Sequence, residues 1–168
     1  MARPKSKNEK MVGAPIALSN LFCFALYSAS LEMTKLYRGL LKDLGLTYPQ
    51  YLVMVVLWEQ NGLAVNALGD LLHLDSGTLT PLLKRLEKVG LIKRERNPED
   101  ERQVLITLTR AGNHLRVKAL KIPEAVSCAL GVSETQADAL QKGIVAARDH
   151  ISVHRRSLGP EMSNAEEA

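Results

Sequence analysis

Aromatic residues are scarce in this sequence, which has two Phe, four Tyr and one Trp among 168 residues. The hydrophobic content of 46% therefore comes mainly from leucine, alanine and valine. Where these residues recur, their spacing is mostly three and four, which is the period of an amphipathic helix. We therefore expect a mainly helical chain, and an all-β architecture is excluded.

Cysteine is also rare, and the two cysteines, Cys23 and Cys128, lie far apart in the sequence. Such a pair is not the disulfide framework of a small secreted protein. No apolar run approaches the roughly 20 residues of a membrane span, and the basic N-terminal segment lacks the apolar core of a signal peptide. We therefore expect a cytoplasmic protein without membrane contact, in which any disulfide is transient and sensing.

Positive charge is in excess overall, with a formal net charge of +4 and a pI near 9.1. This balance permits a polyanionic partner such as DNA. Between His73 and Arg102, however, there are seven Lys or Arg residues and six Asp or Glu residues. Affinity for DNA would therefore depend on where the cations point. The basic arm 1–15 and the tail 157–168 are expected to be disordered.

The segment Leu74–Thr109 changes its periodicity midway. Its first half predicts an amphipathic helix over about Asp75–Val89, with an apolar stripe made of Leu79, Leu82, Leu83, Leu86 and Val89. After Gly90 the pattern alternates, which predicts two strands around the polar turn Asn97–Arg102. A helix followed by a basic hairpin is typical of a winged helix that binds DNA through one groove and the phosphate backbone. A solvated helix and hairpin are the alternative.

Apolar periodicity and capping residues predict helices on both sides of this segment. The first, over about Leu18–Leu41, is apolar nearly all round in its N-terminal half, so we expect it to be buried on several sides. Capping boxes at Thr47–Gln50 and Ser133–Gln136 begin two further helices. The other predicted helices span 65–72, 109–121 and 124–130, the last of these after a bend at Pro123, and the final helix ends near Arg155.

Pro81 conflicts with a continuous helix because proline lacks an amide proton and crowds the carbonyl group four residues earlier, at Gly77. The alternative is a shorter helix with Thr80 as its N-cap and Pro81 at the first helical position. The longer helix with a local distortion is preferred, since Gly77 has no side chain and eases the crowding.

The terminal helices carry more apolar surface than one chain can cover, which predicts a symmetric homodimer. The expected fold is mainly α with a small β-hairpin wing, a winged helix-turn-helix with N- and C-terminal dimerisation helices. One domain is expected over 16–156. Within it, the DNA-binding part covers about 50–109 and the dimerisation helices cover about 17–45 and 110–156.

Over about 18–154 the sequence resembles the multiple-antibiotic-resistance regulator (MarR) family. The resemblance is carried by Leu68–Leu72, Leu79–Gly90 and Asp100–Arg102. Leu21–Tyr27 and Leu74–Glu87 are similar to one subfamily, the organic hydroperoxide resistance regulators (OhrR). The resemblance implies a homodimeric repressor, without enzyme activity or a cofactor. Such a repressor binds a pseudo-palindromic operator while reduced and releases it when an organic hydroperoxide oxidises a cysteine.

The same resemblance implies the sensor residues of the two-cysteine type. Cys23 would be the peroxide-sensing cysteine, Tyr37 and Tyr48 would stabilise its thiolate, and Cys128 would be the second reactive cysteine. A sulfenic acid at Cys23 would condense with the thiol of Cys128. From the residues alone, a buried and inert packing cysteine is the alternative at both positions.

The length of the first helix limits the pairing of Cys23 with Tyr37. Tyr37 follows Cys23 by about four helical turns, roughly 21 Å along a straight helix, so it cannot reach the thiol of its own chain. If the pairing holds, the tyrosine comes from the other subunit.

The expected DNA contacts lie on the second helix of the helix-turn-helix and in the wing. Short donors suit base edges or phosphates, and cations suit phosphates. The resemblance places Arg102 in the minor groove, with Asp100 orienting its guanidinium group. A cap or a solvated side chain is the alternative for the helix residues. The set is Ser76, Gly77, Thr78, Thr80, Lys84, Arg85, Lys88, Arg96, Asp100 and Arg102.

Two other functions are compatible with the sequence: a MarR-type regulator released by a small aromatic ligand, and a thiol peroxidase. The peroxidase is disfavoured because no recognisable peroxidase motif surrounds Cys23. His150 and His154 could form half of a zinc site, but no third ligand at metal spacing accompanies them, so no metal is expected.

Overall fold

The computed structural model describes residues 16–98, 100 and 102–157. The expected arm 1–15, and the expected tail apart from its first residue, lie outside the described residues. The chain divides into two compact units, one that ends at Leu120 and one that begins at Lys121. The single domain expected over 16–156 stays a prediction.

The described part of the first unit contains five α-helices, and the prediction of a mainly helical chain with a wing is confirmed. Two 3-10 turns, Leu18–Asn20 and Lys42–Leu44, lie before and after the first helix. The helices are α1 (Phe22–Leu40), α2 (Tyr48–Glu59), α3 (Val65–Leu72), α4 (Ser76–Lys88) and α5 (Arg110–Ala119).

Local hydrogen bonds explain where α2 and α5 begin. The backbone N–H and the hydroxyl of Thr47 both donate to Gln50 Oε1, at 2.9 and 3.0 Å, at the predicted capping box. Thr109 Oγ1 accepts the backbone N–H of Gly112 at 3.0 Å, which makes Thr109 the N-cap of α5. These caps satisfy amide groups that the first turn of a helix leaves without partners.

α4 is one continuous helix with Pro81 inside it, so the longer of the two predicted helices is confirmed. Leu79, Leu83 and Leu86 are its buried residues. The helix-turn-helix is tight because α3 approaches the turn closely at Gly69, where a Cβ would lie 2.9 Å from the carbonyl oxygen of Leu74.

The sheet has three antiparallel strands in the order β1-β3-β2, one more than the sequence predicts. They are β1 (Leu63–Ala64), β2 (Ile92–Arg96) and β3 (Val104–Leu108). Ile92 is paired with Leu108 and Leu63 with Ile106. The two strands of the wing match the prediction, whereas β1 is missed because two residues are too few to show an alternating pattern.

The core of the first unit forms around α2, which buries five residues: Gln50, Tyr51, Val53, Met54 and Leu57. Side chains of the helix-turn-helix and the wing complete it, namely Leu68, Leu79, Leu83, Leu86, Ile92 and Ile106. The helix-turn-helix and the wing therefore pack against α2.

α1 differs from the expectation of a helix buried on several sides, because none of its residues is buried. Phe22, Tyr27 and Leu31 are 59%, 61% and 44% exposed. The C-terminal half of α1 is the better covered part, since α2 and the following 3-10 turn pack there. The apolar N-terminal half is left uncovered in a single chain, and that is why the expectation is wrong for the chain alone.

The described part of the second unit consists of α6 (Ile122–Leu130) and α7 (Glu134–Ser157). α6 begins before Pro123, so this proline lies in the first helical turn, where its missing N–H costs nothing, and not at a bend before the helix. The backbone N–H and hydroxyl of Ser133 donate to Gln136 Oε1, at the second predicted capping box. Among the described residues, no helix has the length and apolar character needed to span a membrane.

Candidate functional site

The N-terminus of α4 is fixed by Asp75. Its carboxylate accepts the backbone N–H of Thr78 at 2.8 Å and the Thr78 hydroxyl at 2.9 Å. These hydrogen bonds lower the pKa of Asp75, so the cap is ionised at neutral pH. Gly77 leaves room for it, since a Cβ there would lie 3.0 Å from Asp75 Oδ1. The hydroxyl proton of Thr78 is thus used by the cap, whereas Ser76 is exposed.

The face of α4 opposite its buried leucines carries the predicted phosphate-binding cations. Lys84, Arg85 and Lys88 are exposed, and none of them takes part in an ion pair within the part of the chain that the structure describes. Their charges can therefore meet an external anion. Thr80 is half-buried on the same helix.

Asp100 holds the turn of the wing. Its carboxylate accepts the backbone N–H of Arg102 at 3.1 Å and the side-chain amide of Gln103 at 3.0 Å. The expected pairing of Asp100 with the Arg102 guanidinium is not formed within residues 16–98, 100 and 102–157, because an aspartate in a turn bonds most readily to the backbone two residues on. Arg102 is exposed, as is Arg96 at the last strand pair, opposite Val104.

A cleft of about 620 Å³ separates the wing from α3 and α4. Arg94 and Arg102 line it from the wing, and Asp70 and Asp75 line it from the helices. Arg94 Nε is buried and has no hydrogen-bond partner. The sequence pattern does not mark Arg94 as a site residue. The signal that could have found it is its position on β2, on the same face as the buried Ile92.

The two tyrosines that are expected to stabilise the Cys23 thiolate are in contact with each other. The rings of Tyr37 and Tyr48 stack with centroids 4.1 Å apart, and Tyr51, which was not predicted, lies 5.7 Å from Tyr37. Burial, with smaller effects of Tyr48 and Tyr51, raises the pKa of Tyr37 to about 12, and burial also raises the pKa of Tyr48 and Tyr51. The three hydroxyl groups are therefore protonated at neutral pH and can donate hydrogen bonds.

Both cysteines are free and exposed in this chain. Cys23 lies in the first turn of α1, and Cys128 lies in α6 of the second unit. Neither cysteine is buried, so the alternative of an inert packing cysteine is wrong for the single chain. Because α1 is continuous from Cys23 to Tyr37, the two side chains are separated by roughly 21 Å along the helix.

Metal binding has no support in the described residues, where no group of three or more His, Cys, Asp or Glu could hold an ion. His150 and His154 are exposed on α7.

The raised tyrosine pKa values predict a loss of stability in alkali. An unfolded chain loses the Tyr37 proton near pH 10.0, whereas the folded chain keeps it to about pH 12, so the free energy of unfolding falls as the pH rises between these values. We expect Tyr37→Phe to lessen this fall, as measured by urea unfolding at a series of pH values. Tyr27→Phe, at an exposed ring, serves as the control. Equal slopes for Tyr37→Phe and the wild type would contradict the burial of this hydroxyl.

Comparison with known proteins places the chain among transcriptional regulators. Residues 35–118 match the family model described as "Transcriptional regulator SarA/Rot". The organic hydroperoxide resistance transcriptional regulator of Bacillus subtilis (strain 168) is 51% identical over 125 residues, which are 74% of this chain and 83% of that protein.

Two solved structures of the protein AbfR are similar to this chain in fold and sequence. Reduced AbfR bound to DNA gives a TM-score of 0.69 at 36% identity, over 86% of this chain and 97% of that chain. Disulfide-formed AbfR gives a TM-score of 0.57 at 38% identity, over 84% and 96%. The chain therefore belongs to the MarR family of winged-helix transcriptional regulators, in the organic hydroperoxide resistance (OhrR) subfamily.

Proposed function

We propose that this protein is a homodimeric, DNA-binding transcriptional repressor that senses organic hydroperoxides through Cys23. It holds a pseudo-palindromic operator while reduced and releases it on oxidation. One observation carries the proposal: the helix that exposes Cys23 at its start carries, near its end, Tyr37 stacked on Tyr48. The name of the Bacillus subtilis relative and the DNA complex of reduced AbfR support it. The protein acts in the cytoplasm as a regulator and not as an enzyme.

The dimer completes the sensor. In the dimer, two α1 helices cross along their uncovered apolar faces. This crossing brings the thiol of one subunit to the tyrosine pair of the other, whereas the thiol and the tyrosines of one subunit stay at opposite ends of the same helix. Burial of Phe22, Tyr27 and Leu31 in that crossing would stabilise the dimer by roughly 25 cal/mol per Å² of apolar surface covered. The protonated hydroxyl groups of Tyr37 and Tyr48 then donate to the thiolate and favour its formation.

The oxidation takes place in two balanced steps. The Cys23 thiolate attacks the terminal OH oxygen of the hydroperoxide, so that an S–O bond forms as the O–O bond breaks. The sulfenic acid keeps the hydroperoxide proton, and the departing alkoxide takes up a proton from water, equivalent to the one that the thiol lost, and leaves as the alcohol. The sulfenic acid then condenses with the thiol of Cys128, which forms the disulfide and releases water. The disulfide-formed structure of AbfR, a similar regulator, supports this second step. Apolar neighbours such as Phe22 and Phe24 suit the alkyl group of an organic peroxide.

In this scheme the operator is bound by the two winged helices of the dimer, and affinity depends on the spacing between them. α4 offers the short side chains at its N-terminus to the major groove and its exposed cations to phosphates. The wing offers Arg96 and Arg102 to the minor groove and phosphates. Asp100 acts on DNA indirectly by fixing the turn that presents Arg102. Oxidation that moves one subunit against the other changes this spacing and lowers affinity for the operator.

Arg102→Ala tests the wing contact. We expect its loss to weaken operator binding by reduced protein by roughly tenfold to a hundredfold, since a specific arginine contact contributes about 1–3 kcal/mol. The measurement is a titration of operator DNA, selected from a random duplex pool, at several salt concentrations. Arg116→Ala, an exposed arginine of α5, is the matched control. Equal affinities of Arg102→Ala and the wild type would rule out the wing contact.

Cys23→Ser tests the sensor. Reduced wild-type protein and the variant should both shift operator DNA in a gel, but cumene hydroperoxide should release only the wild type. Cys128→Ser tests the second chemical step: under peroxide it should stop at the sulfenic acid, as detected by mass spectrometry. Disulfide formation as in the wild type would reject Cys128 as the partner of Cys23.

Release of DNA from Cys23→Ser under peroxide would overturn the sensor assignment. A protein that ignores peroxide but responds to a small aromatic ligand would be the alternative type of regulator. Repeated peroxide turnover without DNA binding would identify a thiol peroxidase.

A further inference from the structure

A row of three aromatic side chains leads from the tyrosine pair into the core of the winged helix. Tyr37 contacts Tyr51 with ring centroids 5.7 Å apart, and Tyr51 contacts Trp58 edge to face at 6.2 Å. We call Tyr37, Tyr51 and Trp58 the aromatic row. Tyr51 is only 6% exposed, and Tyr37 and Trp58 are half-buried on either side of it. Because the rings pack against one another at these distances, a displacement of Tyr37 has to be accommodated by Tyr51.

The row ends in a hydrogen bond between two elements far apart in sequence. Trp58 Nε1–H of α2 donates to the carbonyl oxygen of Gly112 in the first turn of α5, at 2.9 Å. Because an indole N–H that is shielded from water costs free energy without a partner, a shift of Trp58 either carries Gly112 with it or breaks this bond.

Gly112 in turn packs against Leu91, in the turn that follows the recognition helix α4. A Cβ on Gly112 would collide with the carbonyl oxygen of Leu91, so the two backbones touch there. Thr109 binds the same turn. Its hydroxyl donates to the Gly90 carbonyl at 2.7 Å, and its backbone N–H donates to the Leu91 carbonyl at 3.0 Å. The N–H of Leu91 bonds back to Leu86 of α4 at 3.0 Å.

We propose that Trp58 is a positioning residue that couples the tyrosine pair to the recognition helix, through the aromatic row and its bond to Gly112. The inference rests on the proposed function, since it assigns the path by which a displaced Tyr37 reaches the C-terminal end of α4. Trp58 contacts neither peroxide nor DNA in this scheme. It sets the ratio between the affinities of oxidised and reduced protein for the operator.

Trp58→Phe separates coupling from packing, because phenylalanine keeps a ring in the row and removes the N–H. Operator dissociation constants are measured for reduced protein and for protein whose Cys23 is shown by mass spectrometry to be fully oxidised. We expect reduced Trp58→Phe to bind like the wild type and its Cys23 to oxidise at the same rate. The ratio of oxidised to reduced dissociation constants should fall by about fivefold or more, the range of allosteric couplings.

Tyr51 supplies a second pair of variants. Tyr51→Leu removes a ring from the row and leaves the Trp58 bond to Gly112 in place, so the same ratio should fall. Tyr51→Phe restores the ring, and the ratio should return to that of the wild type.

The wild type provides a readout that needs no variant, because Trp58 is the only tryptophan of the sequence. Its fluorescence should change with the same time course as the oxidation of Cys23. A wild type that releases DNA with unchanged emission, or a Trp58→Phe protein with an unchanged ratio, overturns the coupling while the sensor function stands. A wild type that never releases its operator overturns the sensor function and the coupling together.

Discussion

An apolar helix surface that one chain leaves uncovered is the constraint on which this protein depends. Phe22, Tyr27 and Leu31 of α1 face solvent in the single chain, where apolar surface of this extent is costly. Covering them with a second copy, as we propose, stabilises a dimer and at the same time changes the surroundings of Cys23 from water to the partner subunit. Oligomerisation and redox sensing would then depend on the same contact between α1 helices. A chemical change at the thiol would therefore act directly on the arrangement of the two subunits.

The DNA-binding end is arranged by short-range electrostatics and not by a large excess of charge. Acidic residues are nearly as numerous as basic ones in this region. Two of them, Asp75 and Asp100, accept hydrogen bonds from backbone N–H groups of α4 and the wing. Both carboxylates thereby shape backbone, while Lys84, Arg85 and Arg102 are left exposed. Modest net charge with directed cations suits a protein that, as we propose, releases its DNA on oxidation.

Sequence predicts best what is decided locally. The capping boxes at Thr47 and Ser133 follow from hydrogen bonds within a few residues, and the structure has them. The continuity of α4 through Pro81 follows from Gly77, four residues earlier, which has no side chain to crowd the proline ring. The solvent exposure of α1 was missed because burial depends on how many chains are present. The bond from Trp58 to Gly112 was missed because it joins segments distant in sequence, for which a single sequence holds no pattern. The burial of Arg94 Nε was missed because it depends on how distant segments pack around that side chain.

Heterodimers test most directly whether the sensor is assembled between subunits. One subunit carries Tyr37→Phe with Cys23 intact, the other carries Cys23→Ser with Tyr37 intact, and two affinity tags isolate the mixed dimer. The rate at which cumene hydroperoxide oxidises the remaining Cys23 should match the wild type and exceed that of the Tyr37→Phe homodimer by roughly tenfold or more, the effect of one hydrogen bond to a charged group. A mixed dimer as slow as the Tyr37→Phe homodimer would contradict a site shared between subunits.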